Sequence, residues 1–201
     1  MSFEVIDNGI QVGLFLLFAL FSLIHGMRKQ DRRFWILSGC YACFSMGTLY
    51  YLLYLVIMGK VPQVFYVSEI AWMASYLFLL ALCLMITGKC QKRHSIVACV
   101  LTATEVAVVI GNRIFGPSYP FSIIFAMVIG VIFYHAVLDV QENRRGISFS
   151  MIGLIVWQLL LYIVSEHIRD YTRFNLYFAV DFLLMATMCS LFFWLKKEES
   201  E

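Results

Sequence analysis

The chain has 201 residues, 62% of them hydrophobic and only 14% charged, whereas soluble domains run roughly 45–50% apolar and about 25% charged. A water-soluble core cannot absorb that excess. A net charge of +2 with no clustered basic face argues against a nucleic-acid partner.

Seven apolar segments are read as helices, each long enough to approach the roughly 20 residues that a crossing needs. The first, 9–27, follows the acidic stretch Met1–Asn8. That stretch has no basic n-region and no small-x-small cleavage site, so the segment is read as a retained helix rather than a secretory signal. Arg28, Lys29, Arg32 and Arg33 separate it from the second segment, 34–58. Cys40 and Cys43 form a C-x-x-C there, but Tyr41, Phe44 and the apolar run offer neither access nor thiolate stabilisation. Close helix contact through Gly39, Ser45 and Gly47 is expected instead. Tyr50, Tyr51 and Tyr54, with Trp35 and Trp194, are read as interfacial belt residues.

The third segment, 64–87, places Glu69, Trp72 and Tyr76 at i, i+3, i+7 on one face. Lys89, Lys92 and Arg93 follow it, and the fourth segment, 95–112, contains Glu105. The run Gly111–Pro120 is a turn-rich connection. The fifth segment, 120–140, ends with His135 and Asp139 at i, i+4, before Arg144 and Arg145. The sixth, 148–168, carries Trp157 and sets Gln158, Tyr162, Glu166 and Arg169 on a common face. The seventh, 174–195, has Tyr177 and Asp181 at i, i+4 and runs into Lys196 and Lys197.

The connections alternate in charge. Those after segments 1, 3, 5 and 7 hold eleven of the fifteen Lys and Arg, while Lys60, Arg113, Arg169 and Arg173 are spread over the other three among acids. By the positive-inside rule the first set is cytoplasmic. The expected fold is therefore all-α: a single domain, 1–201, of seven transmembrane helices in the plasma membrane, with the N-terminus outside and the C-terminus in the cytoplasm. None of the six cysteines falls in an outer connection, so no external disulfide framework is expected.

Ionisable residues within membrane spans are costly and point to sites. Glu69, Glu105, Glu166 and Asp181 all fall in the expected outer half. Glu166, beside His167, Arg169 and Asp170, is read as a solvated helix end. Glu69, Trp72, Tyr76, Glu105, Trp157, Tyr162 and Asp181 are taken to converge on an outward-opening pocket, whose acidic and aromatic walls suit a small organic cation or metabolite. His25 and His94 adjoin basic clusters and His135 pairs with Asp139, so no haem, metal or other cofactor is expected. No nucleophile and base stand at catalytic spacing. With acids on one side and most histidines on the other, an enzyme is disfavoured.

The stretch Phe65-Tyr-Val-Ser-Glu-Ile-Ala-Trp-Met-Ala-Ser-Tyr-Leu-Phe-Leu-Leu80 resembles a helix of the multi-helix membrane sensory modules that precede diguanylate cyclase or histidine kinase domains in bacteria. In those too, an early acid is followed by aromatics and a Tyr-rich apolar run. The resemblance covers one helix and implies a sensing role with no catalytic residues. Because Lys196–Glu201 closes the sequence where those modules lead into an output domain, a separate signalling partner or a homo-oligomer is expected. A small secondary transporter or channel, using the same acids for cation or proton coupling, is the alternative.

Overall fold

The structure is a computed structural model that describes residues 2–59, 66–88, 95–111, 119–142, 145–168 and 170–200. Gln30 takes the left-handed conformation, φ 53°, that stops helix Phe3–Lys29 (α1). Asp31 then caps helix Arg32–Met58 (α2), its Oδ1 accepting the Arg33 backbone N–H at 2.9 Å. Only these two residues separate the helices. The basic cluster read as a connection is thus built into the helix ends, where Arg28 and Lys29 complement the C-terminal dipole of α1.

α1 also begins earlier than its hydrophobicity indicates. Phe3 N and Glu4 N, two amides of a first turn that no helical carbonyl reaches, donate to Thr172 O at 3.1 Å and Tyr171 O at 3.3 Å. Asp7 and Gln11 are thereby drawn onto the buried face of the helix. α2 ends at Gly59, whose φ of 63° suits a left-handed cap.

The remaining helices are Tyr66–Thr87 (α3), Ile96–Gly111 (α4), Tyr119–Glu142 (α5), Gly146–His167 (α6) and Leu176–Ser200 (α7). Pro120 stands in the first turn of α5, where its missing N–H removes no helical bond. The described residues contain seven helices and no strand. All of the helices except α4 are long and apolar enough to cross a membrane, the pattern of a multi-pass membrane protein. Their outward faces carry Leu16, Met46, Ile57, Ile70, Met127 and Phe193, all exposed. Water would penalise so much apolar surface, and hydrocarbon does not. The connections around Lys60, Lys89 to His94 and Arg113, together with Arg144 and Arg169, lie outside the described residues.

Neighbouring helices pack in the order α1, α2, α3, α5, α6, α7, and α7 returns to α1 and α2 to close a ring. α4 packs mainly on α5, outside that ring. Two tyrosines tie the ring across its middle. Tyr41 of α2 donates to the Met188 carbonyl of α7 at 2.8 Å, and Tyr76 of α3 donates to Gln158 Oε1 of α6 at 2.6 Å. Phe15, Phe34, Leu37, Ile129, Leu154 and Leu184 fill the space around them.

The two ends of the ring differ. At the N-terminal end, Phe3 packs edge-on against Phe174 and Phe178. At the opposite end, Glu199 meets His25 at 2.6 Å and Lys29 at 3.4 Å. Asp139 there accepts from Ser148 Oγ at 2.6 Å and lies 3.8 Å from Arg145 Nε. Arg145 in turn donates to the Ile86 carbonyl at 3.0 Å. His135 is expected from the sequence to pair with Asp139 along α5; Ser148 and Arg145, at the start of α6, fold back onto that acid.

Candidate functional site

Near its N-terminal end the ring encloses a cavity of about 130 Å³, lined by Gln11, Phe44, Trp72, Tyr76, Gln158, Tyr162, Tyr177 and Asp181 among others. Five helices contribute. The polar groups around it bond to one another between helices.

A chain of hydrogen bonds runs along one side. Trp72 Nε1 donates to Thr48 Oγ1 at 3.3 Å, Thr48 donates to Gln11 Oε1 at 2.8 Å, and Gln11 Nε2 reaches Asp181 Oδ2 at 3.2 Å and Oδ1 at 3.4 Å. Gln11 is the pivot: its amide oxygen accepts from the Thr48 hydroxyl while its NH2 group donates to the Asp181 carboxyl. Trp72 reaches Thr48 because Gly47 is small: a Cβ there would stand 2.8 Å from Trp72 Nε1 and 3.0 Å from the Ser68 carbonyl. The Asp181 carboxyl is hydrogen-bonded in turn to that of Asp7. On the opposite wall, Gln158 meets both Tyr76 and Tyr162.

The connection between α6 and α7 lies over the N-terminal side of this region. Asp170 Oδ1 accepts from the Thr172 backbone N–H at 2.9 Å and from its hydroxyl at 2.6 Å. Those bonds, helped by the charge of Arg173, hold the exposed Asp170 carboxylate below its usual range. Asn175 Nδ2 donates to the Asp170 carbonyl at 2.7 Å, so the turn is internally braced. Tyr51 donates to Glu4 Oε1 at 2.5 Å and links α2 to the start of α1. Tyr51 is thus a partner of an acid, whereas a belt position would leave its hydroxyl to water and headgroups.

Of the residues singled out from the sequence, Trp72, Tyr76, Tyr162 and Asp181 line the cavity. Glu69 is buried close behind Tyr162, and its Oε2 has no hydrogen-bond partner among the described residues. Glu105 and Trp157 are elsewhere. Glu105 sits on α4 against α5, where Gly130 makes room for it: a Cβ at Gly130 would lie 3.4 Å from its Oε2. Trp157 lines a separate groove between α6 and α7 with Gly153, Thr187 and Trp194. Helical periodicity gives the face of a residue on its own helix but not which helices adjoin, and α4 lies outside the ring. Glu166 is exposed at the end of α6.

Asp7, Gln11 and Thr48 belong to the site and were not selected from the sequence. Asp7 lay in the stretch read as preceding the first helix. The available signal was spacing, because Asp7 and Gln11 are i, i+4 and share a face of α1. Among the described residues, no group of three His, Cys, Asp or Glu is placed to hold a metal ion. No family model, curated protein or solved structure matches the chain.

Proposed function

We infer that this protein is a membrane module that binds a small molecule in the cavity among α1, α2, α3, α6 and α7, and that occupancy shifts the packing of these helices. The observation that carries this reading is the cavity itself: a space of about 130 Å³ in which an acid, two amides and five large aromatic side chains face one another within an apolar bundle. Ordinary cores exclude such space. Polar groups converging on an apolar-walled hollow are the usual form of a ligand site.

Seven crossings of the plasma membrane, with the N-terminus outside and the C-terminus in the cytoplasm, complete the proposal. The Arg145 to Ile86 bond supports that count, because it holds the end of α3 beside the start of α6 and so leaves α4 to return across the layer. The described part of α4 has 16 residues, about 24 Å at 1.5 Å per residue. The eleven basic residues on one set of connections support the orientation. A green fluorescent protein fused to the C-terminus then fluoresces, and a periplasmic-type reporter fused there stays inactive; the reverse pattern overturns the orientation.

The binding reading is tested by thermal unfolding of the purified chain in detergent across a panel of cations and metabolites. A ligand present at 100 times its Kd raises stability by about 2.7 kcal/mol. The Asp181→Asn and Glu69→Gln double variant loses that gain if the reading is right. An unchanged ligand-dependent shift in the double variant overturns it. Transport of a cation or proton is the second reading, favoured by the carboxyl pair of Asp7 and Asp181 inside a spanning bundle. It predicts solute-dependent flux in proteoliposomes, abolished by Asp181→Asn.

A further inference from the structure

Asp181 lines the cavity and Asp7 stands behind it, and each is more than nine-tenths buried. Their carboxyl groups are hydrogen-bonded to one another. Two carboxyl groups in contact can share a hydrogen bond only when one of them is protonated. Two bare carboxylates in contact within an apolar bundle would repel each other in a medium that screens them poorly. One negative charge and one shared proton is the arrangement that relieves this repulsion.

The surroundings leave it short of donors. Gln11 Nε2 serves both oxygens of Asp181, and Asp7 Oδ1 has no hydrogen-bond partner among the described residues. The titratable groups that face the pair are Glu4 on α1, Tyr76 on α3 and Tyr177 on α7, with Tyr51 of α2 and Tyr171 of the α6 to α7 connection next to Tyr177. Acids and phenols make up that set. Among the described residues neither aspartate forms an ion pair with Lys, Arg or His.

We propose that the cavity takes a small primary or secondary ammonium compound in exchange for the proton shared by Asp7 and Asp181. The inference rests on the binding reading above and names its ligand class. Charge balances: one ammonium enters, one proton leaves to bulk water, and the cation beside Asp181 offsets the second carboxylate charge of the pair. The ammonium N–H groups supply the donors that Asp7 and Asp181 lack. Trp72, Tyr76, Tyr162 and Tyr177 offer ring faces to the cation and its apolar body. The hollow is close in size to the roughly 150 Å³ cavity that accepts benzene, which sets the ligand at a single ring or a short aliphatic chain.

The experiment is isothermal titration calorimetry on the full chain in detergent, in phosphate and in ACES buffer, with three probes: benzylamine, benzyltrimethylammonium and benzyl alcohol. Buffers of different ionisation enthalpy read the protons released. Benzylamine is expected to bind with release of about one proton. The quaternary probe, which keeps the charge but has no N–H, is expected to bind about tenfold more weakly or worse. Asp7→Asn and Asp181→Asn each lose the proton release, while Glu105→Gln, outside the cavity, keeps binding and release unchanged. Should Asp181→Asn fail to fold, Asp7→Asn carries the comparison alone.

Binding of benzylamine without proton release, or with equal release in Asp7→Asn, overturns the exchange. Equal affinity for benzyl alcohol overturns the ammonium preference while leaving a ligand cavity in place. Silence from all three probes overturns the inference whatever the wider thermal screen finds, and the binding reading falls only if that screen is silent too.

Discussion

Asp181 and Glu105 are both acids set within apolar stretches of their helices, and the structure treats them in opposite ways. Asp181 faces the interior of the ring, where Gln11 and Asp7 bond to it and Thr48 and Trp72 extend the chain. Glu105 is 5% exposed at the α4 to α5 seam, and neither of its carboxylate oxygens has a hydrogen-bond partner among the described residues. The nearby Thr102 hydroxyl is in the same condition. A buried polar group is stabilising only as part of a satisfied set. The same residue type at the same kind of sequence position thus belongs to a site in one case and is an energetic burden in the other.

Removing the two acids should therefore have effects of opposite sign. Asp181→Leu strands the Gln11 amide and the Asp7 carboxyl, and is expected to lower stability by about 3 kcal/mol, read as a lower midpoint of thermal unfolding in detergent. Equal stability of that variant would mean that the network is dispensable. Gly47→Ala acts on the same network from outside the cavity. The added Cβ meets the Trp72 ring and the Ser68 carbonyl, and α2 and α3 must separate, at a cost of about 2 kcal/mol. Tryptophan fluorescence should shift as Trp72 leaves Thr48, and an unshifted spectrum with full stability would contradict the close approach.

Glu105→Met is the contrasting change. It replaces unpartnered oxygens with an apolar side chain of similar length and is expected to raise stability by about 1 kcal/mol. A loss instead would show that Glu105 has a partner the described residues do not include, and would bring the two acids closer in kind. Asp31→Ala, at the far end of the ring, removes the α2 cap and costs about 1 kcal/mol at neutral pH. Burial raises the Asp31 carboxyl, but the Arg33 hydrogen bonds and charge outweigh it and hold the group below its usual range. A carboxyl lowered by folding contributes fully above its ordinary range and loses that contribution as pH falls through the lowered value. The gap between wild type and Asp31→Ala should close on acidification, and a gap independent of pH would remove Asp31 from the account.

The helices were largely legible because their signal is local. Apolar run length and the alternation of Lys and Arg between connections need no knowledge of packing. The ends were less so: Asp7 was assigned outside the first helix because its charge breaks the hydrophobic run, while two hydrogen bonds from the α6 to α7 connection continue that helix to Phe3. Four of the seven residues chosen for the pocket line the cavity, and each of the four lies on a helix of the ring. Glu105 was chosen for its burial cost and depth, properties it shares with Asp181, and no local pattern reveals that α4 stands outside.

By itself, then, the sequence determined an all-helical chain of long apolar segments with a strongly one-sided distribution of basic residues, because hydrophobicity and charge act residue by residue. Tertiary structure alone decided which polar side chains meet. Gln11 meets Asp181 across 170 positions of chain and Thr48 across 37, and such contacts follow from the order in which the helices close the ring. That order is set by how side chains such as Gly47, Trp72 and Tyr76 fit between helices, a property of surfaces in contact that no single helix carries.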